Sequence, residues 1–595
     1  AVAWTRSAPR LDPYPAYWVP ENTPACAATH VRLEQSERTL DLRMACLATA
    51  KRDLAAAVEV LADADDDVAA HADRIVDGLP AIDACRSVPP PGRSGASRAQ
   101  SGAESDAASS PELDGALARS AALRRAGRYD AAWDAVTQAE ALLRDVDAPR
   151  RAAAARLERG IIQSERGKYP GARDDLTAAM RAAIELDDPR MAGRAGHWLV
   201  HTVGLLQDEP EAAALTGQLA LGFAARSGDR QLEAQVRVVN ANLAAKARRF
   251  DEAEAGLRAV IAMHEAEPGQ PVAARAAAFQ GLGNVLLTVH EPAAAEAAFR
   301  SAIELGTELG ADHPSVLVGR LGLASAVKAA GDAAAAEVIL REVAALQIAA
   351  LGEYHPDVAL TYHNLGNALL DGAKLRDAEA AYRSALAIRV ATIGPEANET
   401  SSTRTSLGNV LRAQNKLEEA AAVLRETIAI LHETRGPASL EVAYAQGNLA
   451  SVLRMAGDTP GAETTIRAAL STMRTKLGDD HPHVATARNN LGNLLTASGR
   501  PKLAEAEHRR ALEIRVGRLG GDHPMVAFSH HNLGEALAAQ GRTAEARASL
   551  EQALALRERT IGAEHPETDR SRTALEELGN GKLRGGDEGV DLGEP

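Results

Sequence analysis

Aromatic residues make up only 3% of this 595-residue chain. A β-rich fold fills its pleated surfaces with aromatic and β-branched side chains, so the scarcity argues against one. The packing has to come from alanine and leucine, within an apolar fraction of 46%, which suits closely approaching helices. Cationic excess is lacking as well. The formal net charge is −15, and an acidic chain is a poor general binder of nucleic acid. No apolar run approaches the roughly 18 residues that cross a bilayer, so no membrane insertion is expected. There is no Gly-rich loop with its strand lysine, no His-Arg-Asp loop, no Asp-Phe-Gly, and no Ser/His/Asp or Cys/His constellation, so no enzyme activity is expected. Cysteine is limited to Cys26, Cys46 and Cys85, without the spacing or histidine partners of structural zinc, and neither metal nor cofactor is expected. Buried or free thiols in a helical hairpin are the preferred reading, with one disulfide plus an odd thiol as the alternative. The chain opens on Ala1 with no signal peptide behind it, which suggests a processed chain or part of a longer one.

What the chain has in abundance is repetition. Gly310, Gly352, Gly394, Gly436, Gly478, Gly520 and Gly562 are each 42 residues apart, and so are Ala336, Ala378, Ala420, Ala462, Ala504 and Ala546. A fixed period of this length means stacked units. Each unit reads as two helices. His355-Pro356 opens the first, proline being suited to a position whose N–H has no intrahelical partner. The same pair stands at 313–314, 481–482, 523–524 and 565–566. Leu360, Leu365 and Leu369 follow at helical spacing, and a second helix is expected from about Leu375 to Ile393. Gly394 is placed for a left-handed C-terminal cap. Gly366 and Ala378 supply the small surfaces on which the two helices meet.

Leu365-Gly366, Ala378, Tyr382 and Ala385 resemble the pattern of the tetratricopeptide repeat. The 42-residue period, with Asn-Leu-Gly and Leu-Gly-x-Asp-His-Pro, is similar to the longer repeats of kinesin light chain and its bacterial relatives. The resemblance implies an all-α, right-handed superhelical solenoid of helix pairs and a protein-binding scaffold. A second resemblance lies at the N-terminus. Cys26 to Arg32, Glu34 to Glu37, Asp41 to Leu47 and Cys85 look like the segment that joins kinase domain to repeats in bacterial, notably myxobacterial, Ser/Thr protein kinases. It implies, as an alternative, the regulatory region of a kinase whose catalytic domain is not in this chain. Location would be cytoplasmic, or extracytoplasmic if the chain were tethered to a membrane-spanning kinase.

In order, residues 1–25 are expected to be irregular, with five prolines and with Trp4, Tyr14, Tyr17 and Trp18. Residues 26–86 read as a small helical hairpin module, Asp65, Asp66 and Asp67 suiting the start of its second helix. Residues 87–111 read as a flexible Pro/Gly/Ser linker. Residues 112–309 give five degenerate helix pairs, the third being the weakest. Residues 310–564 hold six 42-residue repeats, 565–578 a capping helix, and 579–595 a disordered tail.

Counting from each Leu-Gly pair, two rows of the first helices are expected to face a peptide-binding groove. One row is Asn364, Ser406, Asn448, Asn490 and Asn532; the other is Asn284, Asn367, Asn409, Ser451 and Asn493. An amide offers two donors and an acceptor, so such a column can hold an extended peptide by its main chain. The same amides could instead bond the next repeat and fix the stacking. Lys328, Arg412 and Arg454 lie one turn further on and would favour an acidic segment. Where relatives clamp a terminal carboxylate with Lys or Arg, this chain has His363, Thr405, Gly447, Asn489 and His531, which sets that clamp aside. The repeated Asp-His-Pro is read as helix-entry chemistry, because successive histidines stand a whole repeat apart.

Overall fold

In the computed structural model the described residues are 11, 37–65, 68, 71–80, 85, 110–144, 146–266, 272–307 and 310–581. Among them all regular structure is helical, as the composition requires. Trp4, Tyr14, Tyr17, Trp18, Cys26, Asp66, Asp67, most of the Pro/Gly/Ser stretch and the tail beyond 581 lie outside the described residues. The chain divides into two compact units, 1–352 and 353–595.

The first unit opens with a 26-residue helix, Glu37–Ala62, and a short one, Ala72–Asp77. Helix pairs follow, beginning with Pro111–Arg125 and Tyr129–Leu142, then Pro149–Glu165 and Tyr169–Glu185. In the third pair the first helix, Pro189–Leu199, widens into a π-helical stretch, Val200–Leu206, before Pro210–Ser227. That extra girth breaks the spacing of the apolar positions, which is why this pair is the faintest in sequence. Arg230–Lys246 with Phe250–Ala266, Val272–Thr288 with Pro292–Gly306, and Pro314–Ala329 with Ala333–Leu351 complete the unit. The second unit stacks Pro356–Asp371 with Leu375–Thr392, Asn398–Ala413 with Leu417–Arg435, Leu440–Met455 with Thr459–Leu477, Pro482–Ala497 with Pro501–Leu519, and Pro524–Ala538 with Thr543–Thr560. Pro566–Gly579 closes it.

The histidine before each proline is the N-cap of the helix that follows. Nδ1 of His313, His355, His481, His523 and His565 accepts the backbone N–H two residues on, at 3.1–3.3 Å. A neutral ring thereby does the work usually given to Ser or Asp. The glycines after the second helices all carry positive φ; Gly394, at φ 90°, donates its N–H to the Arg389 carbonyl at 3.1 Å. Gly436 has φ 83° and ψ 158°, and Gly478 has 85° and 162°. At these two positions the backbone is extended with positive φ, a conformation open essentially to glycine alone.

Within a pair, small residues set the approach. A Cβ added to Gly366 would lie 2.6 Å from the ring of Tyr382. The same clash recurs at Gly408 with Leu424, Gly492 with His508 and Gly534 with Leu550. Ala378 is fully buried. Between repeats, one column alternates between two chemistries. Arg389, Arg515 and Arg557 are buried and reach into the next first helix. Arg515 donates to the Met525 carbonyl at 3.1 Å and to Ser529 Oγ at 2.9 Å, and Arg557 donates to the Glu567 carbonyl and to Ser571 Oγ, both at 2.6 Å. Arg389 bonds the Glu399 carbonyl and Thr403 in the same way. Where the arginine gives way to Leu431 or Met473, the hydroxyl residue becomes Ala445 or Ala487, and all four are buried.

The N-terminal module packs on the first repeat. Ala56, Ala57, Val60, Val68 and Ile75 share a core with Ala122 and Ala126, and Glu59 pairs with Arg119 at 2.9 Å. Asp65 Oδ1 accepts the Val68 N–H at 3.1 Å. Cys46 and Cys85 form a disulfide, their Cα atoms 5.7 Å apart, which corrects the preference for free thiols. The reason is folding back: after Ala72–Asp77 the chain returns Cys85 to the buried face that holds Leu47 and Ala50, within bridging distance of Cys46.

Candidate partner-binding face

The two asparagine rows lie on the first helices of successive pairs, and their surroundings differ. In the second unit, Arg412, Ser451, Arg454, Asn490 and Asn493 converge on one narrow slot, floored by Ala450, Ile466 and Leu494. Three consecutive first helices contribute. The slot has room for about 10 Å³, close to one water molecule, so it suits the head of a polar group and not a bulky side chain. Arg412 is only 4% exposed, and its guanidinium reaches Met455 Sδ at 4.0 Å. Arg454, Asn490 and Asn493 are half-buried. Asn409, three residues before Arg412 on the same helix, lies outside the slot lining, and its Oδ1 is buried and accepts no hydrogen bond among the described residues.

Other members of the rows are already engaged. Asn367 Oδ1 accepts the Tyr382 hydroxyl at 2.6 Å. Burial pushes that phenol's pKa up, so it remains a donor. Asn532 is 7% exposed and gives its amide to Asn489 Oδ1 at 3.1 Å. Asn489 also faces His508 Nδ1 at 3.2 Å. Asn367 thus bonds the second helix of its own pair, while Asn532 bonds the first helix of the preceding pair. Asn364 and Asn448 are half-buried and lie outside the slot. Lys328 is half-buried, in the first unit.

In the first unit, Asn284 is exposed and lines a roomier cleft of about 350 Å³ with Asn242, Arg248, Phe250, Gly281 and Thr288. Asn242 was missed in sequence. It stands one 42-residue step before Asn284, so the period carried the signal, but the degenerate motif around it hid the register.

One arrangement in the second unit imitates a catalytic triad. His531 Nδ1 is 3.2 Å from Ser571 Oγ, and its Nε2 is 3.2 Å from Glu535 Oε1. Ser571 is fully buried, His531 is 1% exposed, and Arg557 also donates to the hydroxyl. No substrate reaches that oxygen, so the group is a packing network. Among the described residues no three His, Cys, Asp or Glu side chains gather to hold a metal, and no helix is long and apolar enough to cross a membrane.

Comparison with known families agrees with the geometry. A tetratricopeptide-repeat model matches residues 315–390, 374–433, 441–515, 504–559 and 525–578, and a second one matches 405–476. Residues 315–578 thus match the tetratricopeptide-repeat pattern throughout. Among solved structures, the repeats of a Podosopora anserina kinesin light chain match at 20% identity, covering 35% of this chain and 98% of that one, with a TM-score of 0.32. BtubC (BKLC) from P. vanneervenii matches at 23%, covering 38% and 91%, with a TM-score of 0.34. A Rap protein complexed with competence and sporulation factor matches at 13%, covering 69% and 99%, with a TM-score of 0.41. A search of curated proteins found no match.

Proposed function

We propose that the chain is a non-enzymatic protein-interaction scaffold that holds an extended, acidic segment of a partner along the first helices of residues 398–497. The observation that carries this reading is the convergence of Arg412, Arg454, Asn490 and Asn493 on one slot. Arginine heads take carboxylates with directed hydrogen bonds, while the amides match a main chain in extended form. Asn367 is tied to Tyr382 within its own pair and Asn532 to Asn489 of the preceding pair, which leaves the slot to the central three pairs. The test compares wild type with an Arg454→Glu, Asn493→Ala variant in affinity purification and in binding to arrays of acidic and basic peptides. Partners and acidic peptides should be lost while the circular dichroism spectrum and melting midpoint stay put. Retention of the same partners by a folded variant sinks the proposal.

The Cys46–Cys85 disulfide favours a second reading. Disulfides persist in oxidising compartments. The scaffold would then work on the extracytoplasmic side as the sensor region of a Ser/Thr kinase, the catalytic domain lying elsewhere, and not in the cytoplasm. Thiol titration of the chain from its native source separates the two, because a reduced pair removes the ground for this placement.

A further inference from the structure

We propose that the first unit holds a peptide site of its own, in the cleft where Asn242, Asn284, Arg248 and Phe250 meet. It takes an extended segment that carries one large apolar side chain with an acidic one beside it. The proposal rests on the reading of the chain as a scaffold, but on none of the residues of the second-unit slot.

Asn242 and Asn284 stand on successive first helices, Arg230–Lys246 and Val272–Thr288. A Cβ added to Gly281 would lie 2.9 Å from Leu257 Cδ2 and 3.7 Å from Asn242 Oδ1. Glycine at 281 thus keeps the floor of the cleft low and brings the Asn242 amide against the neighbouring helix. Both asparagines are exposed, and among the described residues neither side chain makes a hydrogen bond. Thr288 differs, because its hydroxyl is already engaged by the Asn284 carbonyl at 2.9 Å. Ala245, Val285 and the half-buried ring of Phe250 make the cleft apolar beneath this rim. Ala245 and Phe250 pack on the core cluster that contains Val285, so that surface is held in place from behind.

Size and polarity set the ligand. The cleft offers about 350 Å³ against about 10 Å³ in the slot, so a whole large side chain enters where the slot admits only a polar head. The apolar surface favours leucine or phenylalanine there. Each amide on the rim brings donors and an acceptor to the main chain of an extended segment. Arg248 brings the charge. It is the one charged residue of the lining, is exposed, and makes no ion pair within 4 Å among the described residues. Its φ is +59°, in the left-handed region, where the equivalent turns carry Gly127, Gly167 and Gly331. An arginine at this position keeps a cation at the cleft in a conformation that glycine adopts without strain. Side chains two residues apart lie on one side of an extended segment. An acid two positions from the apolar anchor therefore reaches the wall that holds Arg248.

The experiment uses the full chain carrying Arg454→Glu and Asn493→Ala, which disables the slot, on an array of octapeptides in a Ser/Gly background. A central position runs through Ala, Leu, Phe and Lys, and the positions two before and two after it run through Asp, Ser and Lys. Leu or Phe should bind about tenfold more tightly than Ala, and Asp should be preferred to Lys. Adding Asn242→Ala and Asn284→Ala should weaken every peptide by about tenfold. Adding Arg248→Gly should remove the preference for Asp over Lys and raise the melting midpoint, a combination that a merely structural residue would not give. All three positions are exposed, so the helical circular dichroism spectrum should be unchanged. An array without preference for Leu or Phe over Ala, total absence of binding included, overturns the site. So do preferences that persist undiminished in both sets of variants. The slot is disabled throughout, so failure of the slot reading leaves these outcomes as they are.

Discussion

Replacing Arg515 by Met and Ser529 by Ala converts one joint between repeats into the apolar form that the chain itself uses at Leu431/Ala445 and Met473/Ala487. The energetics follow from the contacts. Arg515 is 1% exposed and donates to the Met525 carbonyl, to Ser529 Oγ and, at 3.2 Å, to Thr486 Oγ1. Ser529→Ala alone removes an acceptor from a charged donor, at about 1–2 kcal/mol. Arg515→Met alone orphans the carbonyl and the hydroxyl. Ser529 can then turn to the carbonyl four residues back, as Thr403 does to Glu399 at 2.9 Å, which holds the cost near about 1 kcal/mol. Independent changes would sum to about 2–3 kcal/mol. The double variant, however, removes the buried charge along with its partner, and such exchanges for apolar pairs are often neutral or stabilising. It should lie within about 1 kcal/mol of wild type, a coupling of about 1–2 kcal/mol. Urea unfolding followed by far-ultraviolet circular dichroism measures all four corners of the cycle. Additivity within about 0.5 kcal/mol would refute the idea that the pair is one interchangeable unit.

Three further expectations follow from single positions. Ala373 has φ +57°, whereas the matching residues Gly331, Gly457, Gly499 and Gly541 are glycines of positive φ; Ala373→Gly should stabilise by about 0.5–1 kcal/mol, and an unchanged or lower thermal midpoint would contradict this. Gly366→Ala should destabilise by about 1–3 kcal/mol despite alanine's better helix propensity, because the Tyr382 ring is buried and tied through its hydroxyl; a raised midpoint in a thermal melt would show that the ring can yield. Burial, opposed by Glu535 and aided by Arg515, holds the His508 pKa down at about 4. With the folded pKa below the unfolded one, the neutral ring's stabilisation is complete above about pH 6.5 and is lost as pH falls toward 4. That loss amounts to about 3 kcal/mol. His508→Leu, the residue type at 424 and 550, should flatten that part of the urea-unfolding pH profile, and an unaltered slope would remove His508 as its source.

The period made the helices legible, because Leu-Gly, Ala and His-Pro each answer to a local demand: a close approach, a buried contact, a helix start. The rows of asparagine were legible as rows, since 42-residue spacing puts them on equivalent helices. Which amides remain available was not, because that depends on the residue opposite. Tyr382 claims Asn367, and Asn489 claims Asn532, while the smaller Ala450 and Ile466 leave Asn493 to the slot. Arg412 read as a surface cation, yet its stem is covered by the next first helix. The pairing of Cys46 with Cys85 depended on where a six-residue helix returns the chain, which no periodic signal records. The anionic contacts of the N-terminal module likewise arise from docking between segments without a shared repeat.

Capping by imidazole has its own consequence. A ring nitrogen that accepts a backbone N–H must carry no proton, and an imidazolium has no acceptor left. The caps of His313, His355, His481, His523 and His565 therefore share one requirement, an Nδ1 lone pair aimed at the backbone, each cap worth about 1 kcal/mol. Arrays of stacked modules ordinarily fray inward from a terminus. Here interior and terminal modules begin on the same capping chemistry, while the starts at Ala397, which has no side-chain cap, and at Ser439, capped by a hydroxyl, depart from it.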